Sequence, residues 1–252
     1  MPFSFSLAQL PGGFGNFTPS VAKPDRTSDY YGATLSYSYA QTWYLDLGYA
    51  HGSSSGNVDV DLAVPPLPSA VTIKDDWYQL YIRYAFPGLR GKPIWAYLRA
   101  GVSYVPAELT DDTVIPNLGI YHQSDKTEDL LGNLGFGVGY KLYTGRRIRL
   151  GLLVEGEGFY GSRTQKSLET LDPNLFPGLN FQTVKIDNDL YGGIGRATLH
   201  FEYRFGKTQA LRVFTDAGLQ ARYTFVTYPN GLGTFDELLW GPYVKLGLLF
   251  AF

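Results

Sequence analysis

The sequence contains no cysteine, one methionine and three histidines in 252 residues, and only 17% of it is charged. Without cysteine there are no disulfides, no thiolate nucleophile and no Cys-ligated metal, which suits an exported chain. His51, His122 and His200 lie too far apart in sequence to suggest a transition-metal cluster. No Gly-x-Ser-x-Gly elbow or Ser-His-Asp order is present for a lipid hydrolase. No run approaches the ~18 apolar residues of a membrane helix. Helical periodicity, internal repeats and low-complexity tracts are missing too. A net charge of −2 gives no footprint for nucleic acid. Met1-Pro2-Phe3 opens without a basic n-region or an apolar h-region. The chain therefore reads as a mature exported sequence whose signal peptide has been removed, with no cofactor or metal expected.

Aromatics and glycine, in contrast, are abundant: Tyr 20, Phe 16 and Gly 30. They fall into segments of period two, the signature of strands whose two faces meet different surroundings. The first of these alternates Tyr31, Ala33, Leu35, Tyr37 and Tyr39 with Gly32, Thr34, Ser36 and Ser38. Similar runs carry Trp43 to Tyr49, Tyr78 to Phe86, Ile94 to Tyr104, Leu134 to Leu142, Ile148 to Val154, Tyr191 to Phe205, Leu211 to Phe225 and Leu238 to Phe252. Short turns such as Pro87–Gly91 and Thr144–Arg146 alternate with longer stretches: about 52–69, expected to be largely strand extension, and 106–125 and 164–182, expected to be long loops. Phe3, Phe5 and Leu7 alternate with Ser4, Ser6 and Ala8 and fit a further strand, followed by a loop from Pro11 to Ser28.

The two faces of these runs differ in kind. One is apolar and free of charge at mid-strand, with aromatics at both ends: Tyr39, Trp43, Phe86, Phe205 and Phe252 at one, Tyr31, Tyr78, Tyr104, Tyr160, Tyr223 and Trp240 at the other. The opposite face holds the ionisable groups: Asp46, Arg83, Arg99, Lys141, Arg149, Glu155, Glu157, Arg196, His200, Glu202, Arg204, Arg212, Asp216, Arg222 and Lys245. A soluble sandwich turns its charges outward and keeps its apolar face inside. An apolar face with aromatic girdles instead fits strands that span a bilayer. The expectation is all-β: one antiparallel transmembrane β-barrel over residues 1–252, with about ten strands and eight as the alternative.

The last strand adds a resemblance. Lys245-x-Gly247-x-x-Phe250-x-Phe252 resembles the C-terminal signal of bacterial outer-membrane β-barrels, a polar residue and a glycine followed by spaced hydrophobics ending in Phe. The resemblance implies recognition by the barrel-assembly machinery, an outer-membrane location in a Gram-negative cell and outer-membrane lipid as the surroundings.

For function the inner face matters most. Its charges are expected to pair across a narrow lumen, with long side chains lying over the row Gly135, Gly137 and Gly139, so that the barrel is plugged. Such a barrel would act as an anchor or scaffold, or bind another envelope protein through outer loops bearing Tyr121, Leu171, Phe176 and Phe181. A porin-like narrow pore for small anions is the alternative. Glu155 and Glu157 share a face and could form an acid–base pair, although Arg149 favours a salt-bridge cluster. A rim hydrolase is a further alternative. The chain resembles the omptin proteases in strand count, and Asp75-Asp76 and Asp187-Asn188-Asp189 lie at the right height, but no histidine stands beside either group in the sequence. Asp111-Asp112 could hold Ca²⁺ in a loop.

Overall fold

A computed structural model describes residues 27–39, 42–60, 67–89, 91–115, 119–170, 180–182, 185–206, 210–227 and 234–251. Its strands are β1 (Thr27–Tyr39), β2 (Trp43–Val60), β3 (Leu67–Ala85), β4 (Ile94–Ile115), β5 (Gly119–Thr144), β6 (Ile148–Thr170), β7 (Asn180–Gln182), β8 (Ile186–Phe205), β9 (Leu211–Thr227) and β10 (Thr234–Ala251). A single 3-10 turn at Pro87–Leu89 is the only helical element among the described residues. Each long strand contains one of the alternating runs, because a period-two pattern satisfies both faces only when extended.

Sequential long strands pair antiparallel, β6 with β8 and β5 with β6, and the sheet closes on itself where β1 meets β10. The three-residue β7 pairs with β6 at Leu168–Thr170 and lies outside the ring. The ring therefore has nine strands, an odd number. First and last strands must then run the same way, and β1 and β10 do pair parallel, from Tyr31↔Val244 to Ser38↔Ala251. Among the described residues the ring thus counts nine strands with one parallel seam, where ten or eight antiparallel strands were expected. The run Phe3–Ala8, expected as an extra strand, lies outside the described residues.

Four connections form one end of the ring, here the turn end: 40–42, 86–93, 145–147 and 206–210. Gly91 and Gly206 sit there at φ 78° and 71°, left-handed conformations that a side chain would strain. At the opposite, extended end the strands run on far past the aromatic ring. Within 106–125 every described residue is strand, and β6 continues to Thr170, so the described parts of these stretches are not loops. Polarity gave the misleading impression. Thr110, Thr113, Val114, Ile120 and Tyr121 are good strand formers, and a ladder tolerates polar side chains where both faces are wet. Tyr121 and Phe181 accordingly sit on strands, while Leu171 and Phe176 fall outside the described residues.

The outward face carries Leu35, Leu47, Leu80, Ile82, Leu98, Leu134, Leu152, Val154, Leu199, Leu219 and Leu246, all exposed. Tyr39, Trp43, Phe86 and Phe205 ring it toward the turn end, and Tyr31, Tyr78, Tyr104, Tyr160 and Tyr223 toward the extended end. Leu246 is 56% and Leu134 68% exposed, so nothing among the described residues covers this belt.

Candidate functional site

The inner face positions the polar groups, and the ionisable residues of the inner-face set are all buried or half-buried. At mid-height, Arg99 reaches Glu155 at 3.0 Å and Glu157 at 2.6 Å. The Tyr97 hydroxyl donates to Glu155, and that of Tyr81 donates to Glu157 at 2.8 Å. Trp95, Tyr97 and Arg99 stand directly across from Gly139, Gly137 and Gly135 on β5. A Cβ at Gly137 would collide with the Tyr97 ring and one at Gly139 with Trp95, so the glycine row is the bed in which these side chains lie. Glu155 and Glu157 are thus held as acceptors of a fixed cation and two phenols, an arrangement suited to an ion-pair cluster rather than proton transfer. Arg149, expected beside them, instead lies near Glu202.

Toward the turn end, Arg83 forks onto both oxygens of Asp46, at 2.8 and 2.9 Å, with its guanidinium 4.4 Å from the Tyr44 ring. Arg149, Arg204 and Arg212 converge on Glu202 at 3.7, 2.6 and 3.8 Å. Lys141 Nζ donates to the carbonyl of Lys92. These groups line a cavity of about 540 Å³ whose mouth is made by the turn residues Phe86, Pro87, Leu89 and Gly91. Deeper in, His200 Nδ1 meets Asp216 at 2.6 Å, and Arg196 Nε donates to Gln220 at 2.7 Å. Lys245, the polar member of the terminal motif, points inward over the Phe214 ring at 6.0 Å, and Gly247 leaves room for that same ring.

Above the ion pairs the lumen changes character. Trp77, Val105, Leu131, Phe159, Leu190, Ile194 and Val226 form one buried apolar cluster inside the ring. Asp75 and Arg222 bridge its edge at 3.0 Å, with the Trp77 indole N–H donating to Asp75 at 3.1 Å. A smaller space of about 90 Å³, lined among others by Trp77, Gln79, Tyr81, Arg196 and Tyr243, lies between the cluster and the ion pairs. The expected all-charged plug is therefore two-layered. The signal was in the sequence as doubled apolar residues at the outer strand ends: Trp77-Tyr78, Tyr104-Val105, Leu130-Leu131, Phe159-Tyr160, Leu190-Tyr191 and Phe225-Val226. In each pair one member faces out and its neighbour faces in.

Beyond the cluster, the extended end carries a second set of buried polar groups. Arg163 forks onto Asp129 at 2.8 Å on both arms. Gln123 donates to Asp125, and Thr113 to Asp111 at 3.2 Å. Burial pushes the Asp111 carboxyl up to about 6, helped by the charges of Asp112 and Asp125, and it raises Asp125 as well. Asp111 faces inward while Asp112 is exposed on the other face, so the two cannot chelate one Ca²⁺. Among the described residues no group of three metal-ligating side chains exists.

All three histidines have an aspartate directly opposite on the neighbouring strand: His51↔Asp76, His122↔Asp112 and His200↔Asp216. The Nδ1–Oδ1 distances are 2.9, 2.5 and 2.6 Å. The absence of a histidine beside Asp75-Asp76 in sequence is thus reversed in space, because cross-strand register brings His51 to Asp76. Asp76 and His51 nonetheless lie on the outward face with Tyr49, which donates to the same carboxylate at 2.8 Å. Asp187 and Asp189 are exposed on the outward face of β8, whereas Asn188 between them is buried. Asp76, Asp187 and Asp189 thus point away from the barrel mouth, while Asp75 faces inward against Arg222, so the two groups do not converge on one substrate.

No family model matches this chain, and no curated protein matches it by sequence. What the fold defines is a class: an all-β protein whose nine long strands close into a ring, apolar outside and polar within.

Proposed function

We propose that this protein is an integral outer-membrane β-barrel whose lumen is closed, serving as an anchor or scaffold that presents its extended strands beyond the membrane. The observation that carries the proposal is the inversion of faces. Exposed aliphatics flanked by aromatics surround the ring, while ion pairs and an apolar cluster fill it. Ile94 to Tyr104 on β4 supplies an eleven-residue belt, close to the ~9–11 residues of a tilted spanning strand. Water would charge a heavy cost for that belt, and hydrocarbon none. The turn end then faces the periplasm. The extended walls of β3 to β6 stand outside, where their polar faces are available to another envelope protein.

The test has two parts. Membrane fractionation is expected to recover the protein with the outer membrane, as a heat-modifiable band on gels. In a planar bilayer the refolded protein is expected to pass no steady ohmic current. Soluble, monodisperse, folded protein without detergent would overturn the membrane reading, and a steady current would overturn the closed lumen in favour of a narrow anion pore.

A further inference from the structure

The two ladders of like charge inside the ring share their carboxylates differently. Arg83 and Arg99 stand directly opposite each other on β3 and β4, and Arg204 and Arg212 do the same on β8 and β9. Like charges in such positions repel and need counter-charge. The first ladder has three carboxylates for two guanidiniums: Asp46 on Arg83, Glu155 and Glu157 on Arg99. In the second, Arg149 joins the ladder and three guanidiniums converge on Glu202. Arg149 Nε is buried and makes no hydrogen bond. Lys141 lies close enough to feel the charges of Arg149 and Arg204. The side chains lining this cavity include seven Lys and Arg against four Asp and Glu, a surplus of positive charge in a space of about 540 Å³ open at the turn end. Such a surplus, walled by protein on its other sides, concentrates anions.

We infer that this vestibule binds a small organic phosphate monoester, its phosphoryl group held by Arg149, Arg204, Arg212 and Lys141. Planar guanidiniums suit phosphate oxygens because they donate in forks. A monoester brings ~1.5–2 negative charges at neutral pH, which answers the surplus left beside Glu202. A carboxylate or a diester headgroup brings one. For the organic part there is an aromatic wall: the Trp95 and His200 ring centroids are 6.1 Å apart, and those of His200 and Phe214 5.7 Å. The vestibule opens at the turn end, and the apolar cluster lies above it. It rests on the inner-face geometry alone and holds whether or not the barrel conducts.

The experiment is calorimetric titration of the refolded full chain in detergent micelles with glycerol 3-phosphate, with glycerol, inorganic phosphate and a phosphatidylglycerol-containing micelle as comparisons. Wild type is expected to bind the monoester and not glycerol. Arg149→Gln and Arg212→Gln should each weaken binding at least tenfold. Glu202→Gln, which removes the competing carboxylate, should strengthen it several-fold, an effect no merely structural role predicts. Heat-modifiable mobility identifies the folded variants, and Arg149→Lys serves as a second variant at that position, expected to bind more weakly than wild type and better than Arg149→Gln. No binding by wild type at millimolar ester, unchanged affinity in Arg149→Gln and Arg212→Gln, weaker binding in Glu202→Gln, or equal binding of the diester lipid would each overturn the inference. A steady current with the binding intact would remove the closed-barrel reading and leave this one standing.

Discussion

Asp75 and Arg222 meet at 3.0 Å although they belong to β3 and β9, on opposite sides of the ring. The guanidinium lies 4.9 Å from the Trp77 ring, whose own N–H donates to the same Asp75 oxygen. One ion pair thus ties two walls together at the edge of the apolar cluster. Removing a single partner leaves a buried charge, which costs about 3–5 kcal/mol. Arg222→Ala is expected to lower the unfolding free energy measured by urea titration by that amount. The double change Asp75→Leu with Arg222→Met should recover most of it, because an apolar replacement of similar volume removes both charges together.

On the proposed reading the apolar cluster closes the lumen, so opening it requires removing bulk rather than charge. Trp77→Ala combined with Leu131→Ala is expected to produce discrete conductance steps in a bilayer where wild type is silent. Arg149→Ala, further down the lumen, is expected to leave the barrel silent.

Gly137 and Tyr97 form a matched pair, the ring lying where a Cβ would be. Gly137→Val should displace Tyr97 and with it the hydroxyl on Glu155. Overpacking of this kind costs about 1–3 kcal/mol. The unfolding midpoint measures it, and Tyr97→Ala in the same chain should relieve part of the loss.

On the outward belt, Leu246→Arg is expected to cost about 2–4 kcal/mol if hydrocarbon surrounds it. Folding yield into vesicles reads the effect, and Leu246→Phe should be neutral. An equal tolerance of Arg and Phe would exclude a bilayer from this face.

The Asp111 carboxyl, pushed up to about 6 by burial, gives the extended end a pH dependence. The fold prefers the neutral form, so this contribution is full below the unfolded value of about 4 and is lost as pH rises through about 6. Asp125 is shifted the same way and for the same main cause. After correction for intrinsic rates, amide exchange around residues 109–113 is expected to be slower at pH 5 than at pH 7.5. Asp111→Asn should shrink that difference.

Much of this was legible before any coordinates. The phase of every long strand follows from which alternate residues are apolar, and phase alone decides that Asp46, Glu155 and Arg222 face inward. Other features depend on how one strand slides against the next, which no single strand records. The meeting of His51 with Asp76, twenty-five residues apart, is a matter of register. So is the facing of Arg204 and Arg212. The extended walls were hidden because polar strands such as Thr110–Val114 share a loop's composition. The apolar cluster was hidden because period-two reading expects one apolar face, and at the outer strand ends both faces are apolar. Which strands close the ring is likewise beyond local pattern, since it depends on a count over the whole chain.

That closing contact has a consequence for how the cylinder comes into being. Tyr31 and Val244 are spatial neighbours separated by almost the whole described ribbon, whereas every hairpin joins segments near in sequence. Loop entropy therefore delays this weld until the other strands have assembled. Its slanted parallel bonds are somewhat weaker per residue than antiparallel ones. The last joint to be made is then also the first to part, and a force pulling the wall open would unroll the ribbon from there.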